Sequence, residues 1–502
     1  MNVPVLLALG LSIALYLGLG LWFSFRIRSL GDIFPLLLGQ NARVANYREF
    51  AASTVAATIS LATVVVAFYE LVPSLGLWLL WPAITTAMGL LFFSLLVEKI
   101  WQKMAMYDYR PTLHAYLGTE FNSSKLAFVA SLFTAIGYLS AFAVELTVGA
   151  RFLAGMLPQI PQLATVIVIA AISFTYTGMG GFRVVVVTDR IQMWFIWLLL
   201  LAIGVYYSVH ASQQGWAESI GRIPPGLRTL TWNNGLLSFI AGILIMNLLT
   251  FTSNMGLWQR IAGAQQPSVV IRGMWSSVMG ALLSWSLLVF AAVGSFMFVR
   301  PVTGENILIT TLKFMQASAL GRGTVFCIVL GLYGAMLSTA STQLIAATHT
   351  LYEDVIAPFR KVDVHLRAGM KIEVFRSRLI LVFAAVVAVF VVELLRAFGF
   401  TVADMAFAVY GAALGLVPPI LFTLLLEREV TQRLSTPAAW AVTLGFVSCW
   451  SAAAYGRLTG NANLVFLSPV VSTTVATVIM IMGWLLMRLR LTTRSIAPGA
   501  EA

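Results

Sequence analysis

The sequence predicts an all-α polytopic membrane protein of about thirteen transmembrane helices. Three observations carry that prediction. The 502 residues are 60% hydrophobic and only 10% charged, whereas a soluble domain carries about 25% charged residues. The apolar residues gather into runs near the roughly 20 residues that a membrane-crossing helix needs. The Lys and Arg residues between the runs alternate in abundance from one side to the other, as orientation in a bilayer requires.

In chain order the runs cover 3–25, 48–70, 75–97, 126–155, 162–177, 186–208, 235–259, 273–298, 323–351, 379–395, 401–425, 437–456 and 465–487. No basic stretch precedes the first run, which follows Met1, Asn2, Val3 and Pro4, so a retained helix is expected and not a cleaved signal. Alternate connections then carry most of the basic residues. Arg26, Arg28, Arg43 and Arg48 follow the first run, and Lys99, Lys103, Arg110 and Lys125 the third. Arg183 and Arg190 follow the fifth, and Arg260 and Arg272 the seventh. The stretch from Arg360 to Arg378 holds six, Arg428 and Arg433 come next, and the tail carries Arg488, Arg490 and Arg494. In all, 23 of the 31 basic residues fall on this side. That places the N-terminus outside and the C-terminus in the cytoplasm. The same distribution disposes of nucleic acid as the reason for the net charge of +12, because no single basic face exists.

Several function classes are excluded early. The chain has no HExxH, GxSxG or Walker-type loop and no Cys–His cluster. Cys327 and Cys449 both lie in apolar stretches, which argues against a disulfide framework or a cysteine metal site. His114, His210, His349 and His365 are scattered, and a solvated or capping role is expected for each. No cytoplasmic run is long enough for an ATPase or kinase domain, so energy for transport must come from outside the chain's own chemistry, most simply an ion gradient.

Polar residues at membrane depth are costly and become the functional candidates. In Gly334–Gln343, the residues Ala335, Ser338, Thr339 and Thr342 share one helix face. The hydroxyls and backbone carbonyls there suit a small alkali cation; close helix packing by small residues is the competing reading. A second group, Ala56–Thr63, is small and hydroxyl-rich in mid-span, and Glu70, Pro73 and Gly76 follow it. A local break there would free carbonyls for an ion or solute. The third, Thr250–Gly256, interrupts another run before Gln259 and Arg260. The two interrupted helices are the second and the seventh. They are five helices apart, an odd offset, so two five-helix units would insert with opposite orientation.

These residues resemble the sodium:solute symporter family, which includes proline permeases, sodium–galactose and sodium–glucose transporters and sialic acid symporters. Tyr176–Arg183 running into Thr188-Asp189-Arg190-Ile191-Gln192 is similar to the family's YT-x-x-GG…TD-x-x-Q signature. Asn254 with Gln259, Arg260 and Ala262, and the stretch Met336–Leu344, resemble two further motifs, with weaker matches at Gly149–Arg151 and Asp404…Pro418.

The resemblance implies a LeuT-like core of inverted five-helix repeats, 48–208 and 235–425. Around it stand an accessory N-terminal helix in 1–30, two accessory C-terminal helices in 437–487 and a cytoplasmic tail at 488–502. It implies Na+ as coupling ion on the carbonyls of Ala56, Ile59 and Ala335 and the hydroxyls of Ser338 and Thr339. A second sodium would use Thr63, Asp189, Ser338, Ser341 and Thr342. The competing role for Asp189 is beside Arg183 and Arg190 at the cytoplasmic face.

The implied solute pocket surrounds Thr58, Ser60, Thr63, Asn254 and the middle of the fourth helix. The Asp of proline permeases is replaced by Thr58, the Glu-Gln pair of galactose transporters by Ala62-Thr63, and the Arg of sialic acid symporters by Ala141. Glu145 and Glu70, the latter at the outer end of the second helix, are the distinctive residues: a buried carboxylate such as Glu145 could pair with Arg151, titrate, or face a solute amine. Expected, then, is a sodium-coupled symporter of the bacterial inner membrane and no enzyme. It would import a small polar solute, with an amine-bearing one such as an amino acid favoured, and need no obligatory protein partner beyond the lipid bilayer. The alternatives are a transporter-like sensor and a proton-coupled carrier of the same fold.

Overall fold

The computed structural model describes residues 2–36, 44, 46–232, 235–301, 305–360, 363–397 and 400–496. Among them the only β pairing is an isolated bridge between Val44 and Ala264; the rest of the regular structure is helical. The last six residues of the tail expected at 488–502 lie outside the described residues.

The chain begins with α1 (Val3–Ser24) and α2 (Tyr47–Thr58), the latter capped by the Asn46 side chain on the Glu49 N–H at 2.9 Å. Helical geometry fails at Ile59 (φ −93°, ψ 83°) and Ser60 (φ −77°, ψ 139°). A wide π turn (Leu61–Val66) then runs into α3 (Ala67–Leu75). After a turn at Gly76 come α4 (Leu80–Ala105), α5 (Leu113–Glu120), α6 (Ser124–Met156) and α7 (Gln162–Gln214). The second half holds α8 (Leu236–Leu249), α9 (Met255–Ala262), α10 (Pro267–Gly294), α11 (Ile307–Met315) and α12 (Ala319–Thr350). It ends with α13 (Lys371–Ala397), α14 (Val402–Ala412), α15 (Val417–Leu425), α16 (Ser435–Leu458) and α17 (Ala462–Ile496).

Ten helices among the described residues are long and apolar enough to cross a membrane, so the count of thirteen is not confirmed. The difference falls where runs join or break. The second and third expected spans meet in one 45-residue helical stretch, Leu61–Ala105, and the fifth and sixth lie within the 53 residues of α7. The seventh is interrupted after Leu249, which leaves a short helix. An unbroken helix of 53 residues would be about 80 Å long, more than twice the hydrocarbon thickness. Gly181 divides it: its φ of +60° is non-helical, and a Cβ there would come within 2.7 Å of the Ile33 Cα.

The apolar pattern explains the packing. α12 is buried almost throughout, with every residue from Ile328 to Thr350 inside the protein, and it packs on α7, α6, α1 and α2. The two C-terminal helices pack on each other and, through α17, on α8 and α14. They keep large exposed apolar side chains such as Trp440, Leu458 and Leu489, as lipid-facing helices do. Small residues set the closest approaches: a Cβ on Gly89 of α4 would lie 2.0 Å from the Asn247 carbonyl of α8.

Candidate functional site

The break between α2 and α3 makes two sets of backbone groups available. The last carbonyls of α2 lack a full set of helical donors. The Val55 and Ala56 carbonyls share the Ile59 N–H at 3.2 Å each, and Val55 also accepts from the Thr58 hydroxyl at 2.7 Å. Beyond the break, Ser60 caps the new helical stretch, its hydroxyl accepting from the Thr63 N–H at 2.8 Å. The same hydroxyl donates to the Glu145 carboxylate, whose other oxygen accepts the Ala62 N–H at 3.4 Å. Glu145, on α6, is 1% exposed. Its carboxyl group therefore meets neither Arg151 nor open space, but the start of the resumed helix, where N–H groups lack helical acceptors.

α12 packs against α2 and against the π turn beyond the break. Its hydroxyl face lies inside. Thr339 is 3% exposed and its Oγ1 has no hydrogen-bond partner; a buried orphan oxygen of this kind is free to hold a cation. The Ser338 hydroxyl donates to Asp189 Oδ1 at 2.6 Å, and the Ser341 hydroxyl to the Ser338 carbonyl at 3.1 Å. The Leu337 carbonyl accepts from the Tyr176 hydroxyl at 2.8 Å.

Asp189 sits in a four-helix knot. Its Oδ2 accepts from the Ser53 hydroxyl at 2.5 Å and from Arg260 Nη2 at 3.0 Å. Arg260 also donates to Ser53 Oγ at 2.8 Å, Thr342 Oγ1 at 2.9 Å and the Gly256 carbonyl at 3.0 Å. Both charges are buried. Asp189 is thus matched by Arg260 of α9, not by the neighbouring Arg183, which pairs with Glu49 at 2.6 Å. Of the positions grouped for a second sodium, Asp189 and Thr342 meet through Arg260, Ser338 joins through its bond to Asp189, and Ser341 bonds back to the Ser338 carbonyl. Thr63 does not join them; it lines a cavity.

That cavity measures about 130 Å³ and lies between the broken helix, α4, α8, α10 and α14. Thr58, Ser60, Thr63 and Asn254 line it together with Asn247, Phe68, Trp285 and Tyr410. None of its lining residues is Asp, Glu, Lys, Arg or His. Asn254, the cap of α9, accepts from the Leu257 N–H at 2.9 Å and from the Tyr138 hydroxyl at 3.2 Å. Ala141 falls in a smaller neighbouring cavity that shares Asn254 and Tyr410. Arg260 as the partner of Asp189, and Tyr138, Tyr410 and Trp285 as wall residues, were not assigned these places from the sequence. Only Arg260 carried a signal, as part of the Gln259-Arg260 motif; the aromatics are indistinguishable from core until the helices are packed.

The sequence model of the sodium:solute symporter family matches residues 42–436. No curated protein sequence matches the chain. In structure the chain is similar to a Na+-coupled sialic acid symporter in a substrate-bound outward-open state, with a TM-score of 0.72, 15% identity, and 96% of this chain and 98% of that one covered. It is also similar to a manganese transporter of Eremococcus coleocola, with TM-score 0.55, 15% identity and 92% and 99% covered. A third likeness is to Mhp1, a nucleobase-cation-symport-1 family transporter, in a closed conformation with bromovinylhydantoin bound, with TM-score 0.54, 14% identity and 90% and 93% covered. These likenesses establish a LeuT-like fold.

Proposed function

The chain belongs to the sodium:solute symporter family, and from that premise we propose that it imports a small organic solute of no net negative charge through the cavity behind the Ile59–Ser60 break. The protein is a multi-pass membrane transporter that couples solute movement to Na+, and not an enzyme. The observation that carries the solute class is the lining: hydroxyls, two asparagines and aromatic rings, with no charged side chain among them. A cavity of about 130 Å³ is close to the roughly 150 Å³ that accepts a benzene-sized molecule. The solute is therefore small, and a larger one needs the walls to move. An amine-bearing solute loses its main support, because Glu145 is engaged by Ser60 and Ala62.

Sodium is assigned to the carbonyls of Ala56, Ile59 and Ala335 and the hydroxyls of Ser338 and Thr339, a reading supported by the buried Thr339 oxygen that has no protein partner. In this reading the ion joins α2 to α12, which shapes the cavity next to it. A second ion around Asp189, Ser338, Ser341 and Thr342 requires Arg260 to move aside. Residues 48–208 and 235–425 act as the two inverted repeats, in a bacterial inner membrane, with the N-terminus periplasmic and the C-terminus cytoplasmic.

Uptake into proteoliposomes tests this. A panel of radiolabelled neutral, cationic and anionic small molecules is offered with an inward sodium gradient, at constant pH gradient. Accumulation of a neutral or cationic compound that vanishes without sodium is expected. Accumulation that follows protons with sodium absent would overturn the coupling, and an anion as the best solute would overturn the solute class.

A further inference from the structure

The helical stretch that begins at Leu61 and runs unbroken through Leu75 starts in the middle of the protein, next to the candidate solute cavity. Its first N–H groups have no helical acceptors, and its dipole favours negative charge at that end. In transporters with interrupted helices such a half-helix start points at the anionic group of the solute. In this chain the position is already filled. The Glu145 carboxylate takes the Ala62 N–H at 3.4 Å and the Ser60 hydroxyl, and it reaches this place from α6, 85 residues away from Ser60. Ser60, which holds the carboxylate, also lines the cavity. No cationic side chain lines that cavity to offset a second negative charge.

We infer that Glu145 is a specificity-determining residue: its carboxyl group occupies, from within the protein, the place that the broken helix would otherwise offer to a solute's anionic group, and so restricts the solute to compounds without a carboxylate or other anionic group. Zwitterionic amino acids are excluded along with simple carboxylates. An amide of the same shape is admitted, because it brings no charge to face Glu145. This inference rests on the reading of the cavity as the solute site, but the seat itself can be tested without knowing the solute.

The experiment uses the full chain, purified, as wild type, Glu145→Ala and Glu145→Gln. In the first arm thermal unfolding is followed with increasing choline acetate or, as the uncharged control, acetamide. Acetate should refill the seat vacated in Glu145→Ala and raise its melting temperature by about 2–4 °C. Acetamide should stabilise Glu145→Ala no more than it does wild type, and wild type and Glu145→Gln should not respond to acetate. An equally folded Glu145→Ala that ignores acetate would overturn the assignment of the seat.

In the second arm, sodium-dependent stabilisation is measured with matched pairs: propionate and propionamide, benzoate and benzamide, proline and prolinamide. Wild type should favour the amide by roughly tenfold or more in half-saturating concentration, and the preference should collapse in Glu145→Ala. Glu145→Gln, which keeps the shape and loses the charge, should show the same collapse if the alanine variant fails to fold. A carboxylate that binds wild type as well as its amide does, or a preference unchanged in the variants, would overturn the inference. Acetate rescue together with no sodium-dependent uptake of any solute would instead defeat the proposed function and leave the seat standing.

Discussion

At the scale of single residues, the hydroxyls of α12 and the buried ion pair make opposite demands. Thr339→Ala removes an oxygen that has no protein partner, so folding should be untouched. If that oxygen binds sodium, the loss is about 1.5–3 kcal/mol, or roughly 10- to 150-fold in sodium affinity. Isothermal titration of sodium into the purified variant measures it, and an unchanged affinity would return Thr339 to a packing role. Ser338→Ala is less clean, because it also removes a donor to Asp189. Asp189→Asn leaves Arg260 buried without its counter-charge, which typically costs 3–5 kcal/mol or about that order. It should lower the melting temperature sharply, and the double variant Asp189→Asn/Arg260→Gln should recover most of the loss. A double variant no more stable than the single one would show that the pair is not coupled.

At the scale of elements, the break at Ile59–Ser60 and the kink at Gly181 are the features on which the site depends. Ser60→Ala removes both the cap on the Thr63 N–H and the donor to Glu145. A lost cap costs about 0.5–2 kcal/mol, and Ser60→Thr should retain most of it in a thermal unfolding comparison. Gly181→Ala forces a side chain into φ +60°, ψ −160°, a region essentially kept to glycine, at about 1–3 kcal/mol for the backbone alone, with the Ile33 Cα in the way at 2.7 Å. Expression and melting temperature should both fall; a variant that unfolds like wild type would show that the kink can relax. These elements also mark how far the sequence can be read. Hydropathy locates the apolar runs, and the small polar stretches at 56–63 and 250–256 mark the interruptions correctly. Hydropathy does not distinguish two spans joined end to end, as in Leu61–Ala105, from two separated by a loop. The hydroxyl face of Ala335–Thr342 is legible because helical period is local. The Ser60–Glu145 and Asp189–Arg260 contacts are not, because each joins residues 85 and 71 positions apart. Charge alone offered Arg151 and Arg183 as nearer partners for the two carboxylates.

At the scale of the whole molecule, coupling and orientation are the testable properties. Ion and solute must raise each other's affinity by the same factor, since the coupling free energy is shared. Titrating each in the presence and absence of the other should give equal ratios; unequal ratios would mean that a further ligand or state is involved. A protease applied outside spheroplasts should release a tag at the N-terminus and spare one at the C-terminus. The reverse result would overturn the orientation argued from the basic residues. The knot of Ser53, Asp189, Arg260 and Thr342 ties together α2, α7, α9 and α12, and these are not made at the same time. Asp189 leaves the ribosome 71 residues ahead of Arg260. At about 5–20 residues per second, the newborn chain holds that carboxylate without its counter-charge for roughly 4–14 seconds. Thr342 emerges a further 82 residues after Arg260. Biogenesis of this protein therefore includes an interval in which the Asp189 carboxylate must be sheltered by water, lipid headgroups or the insertion machinery.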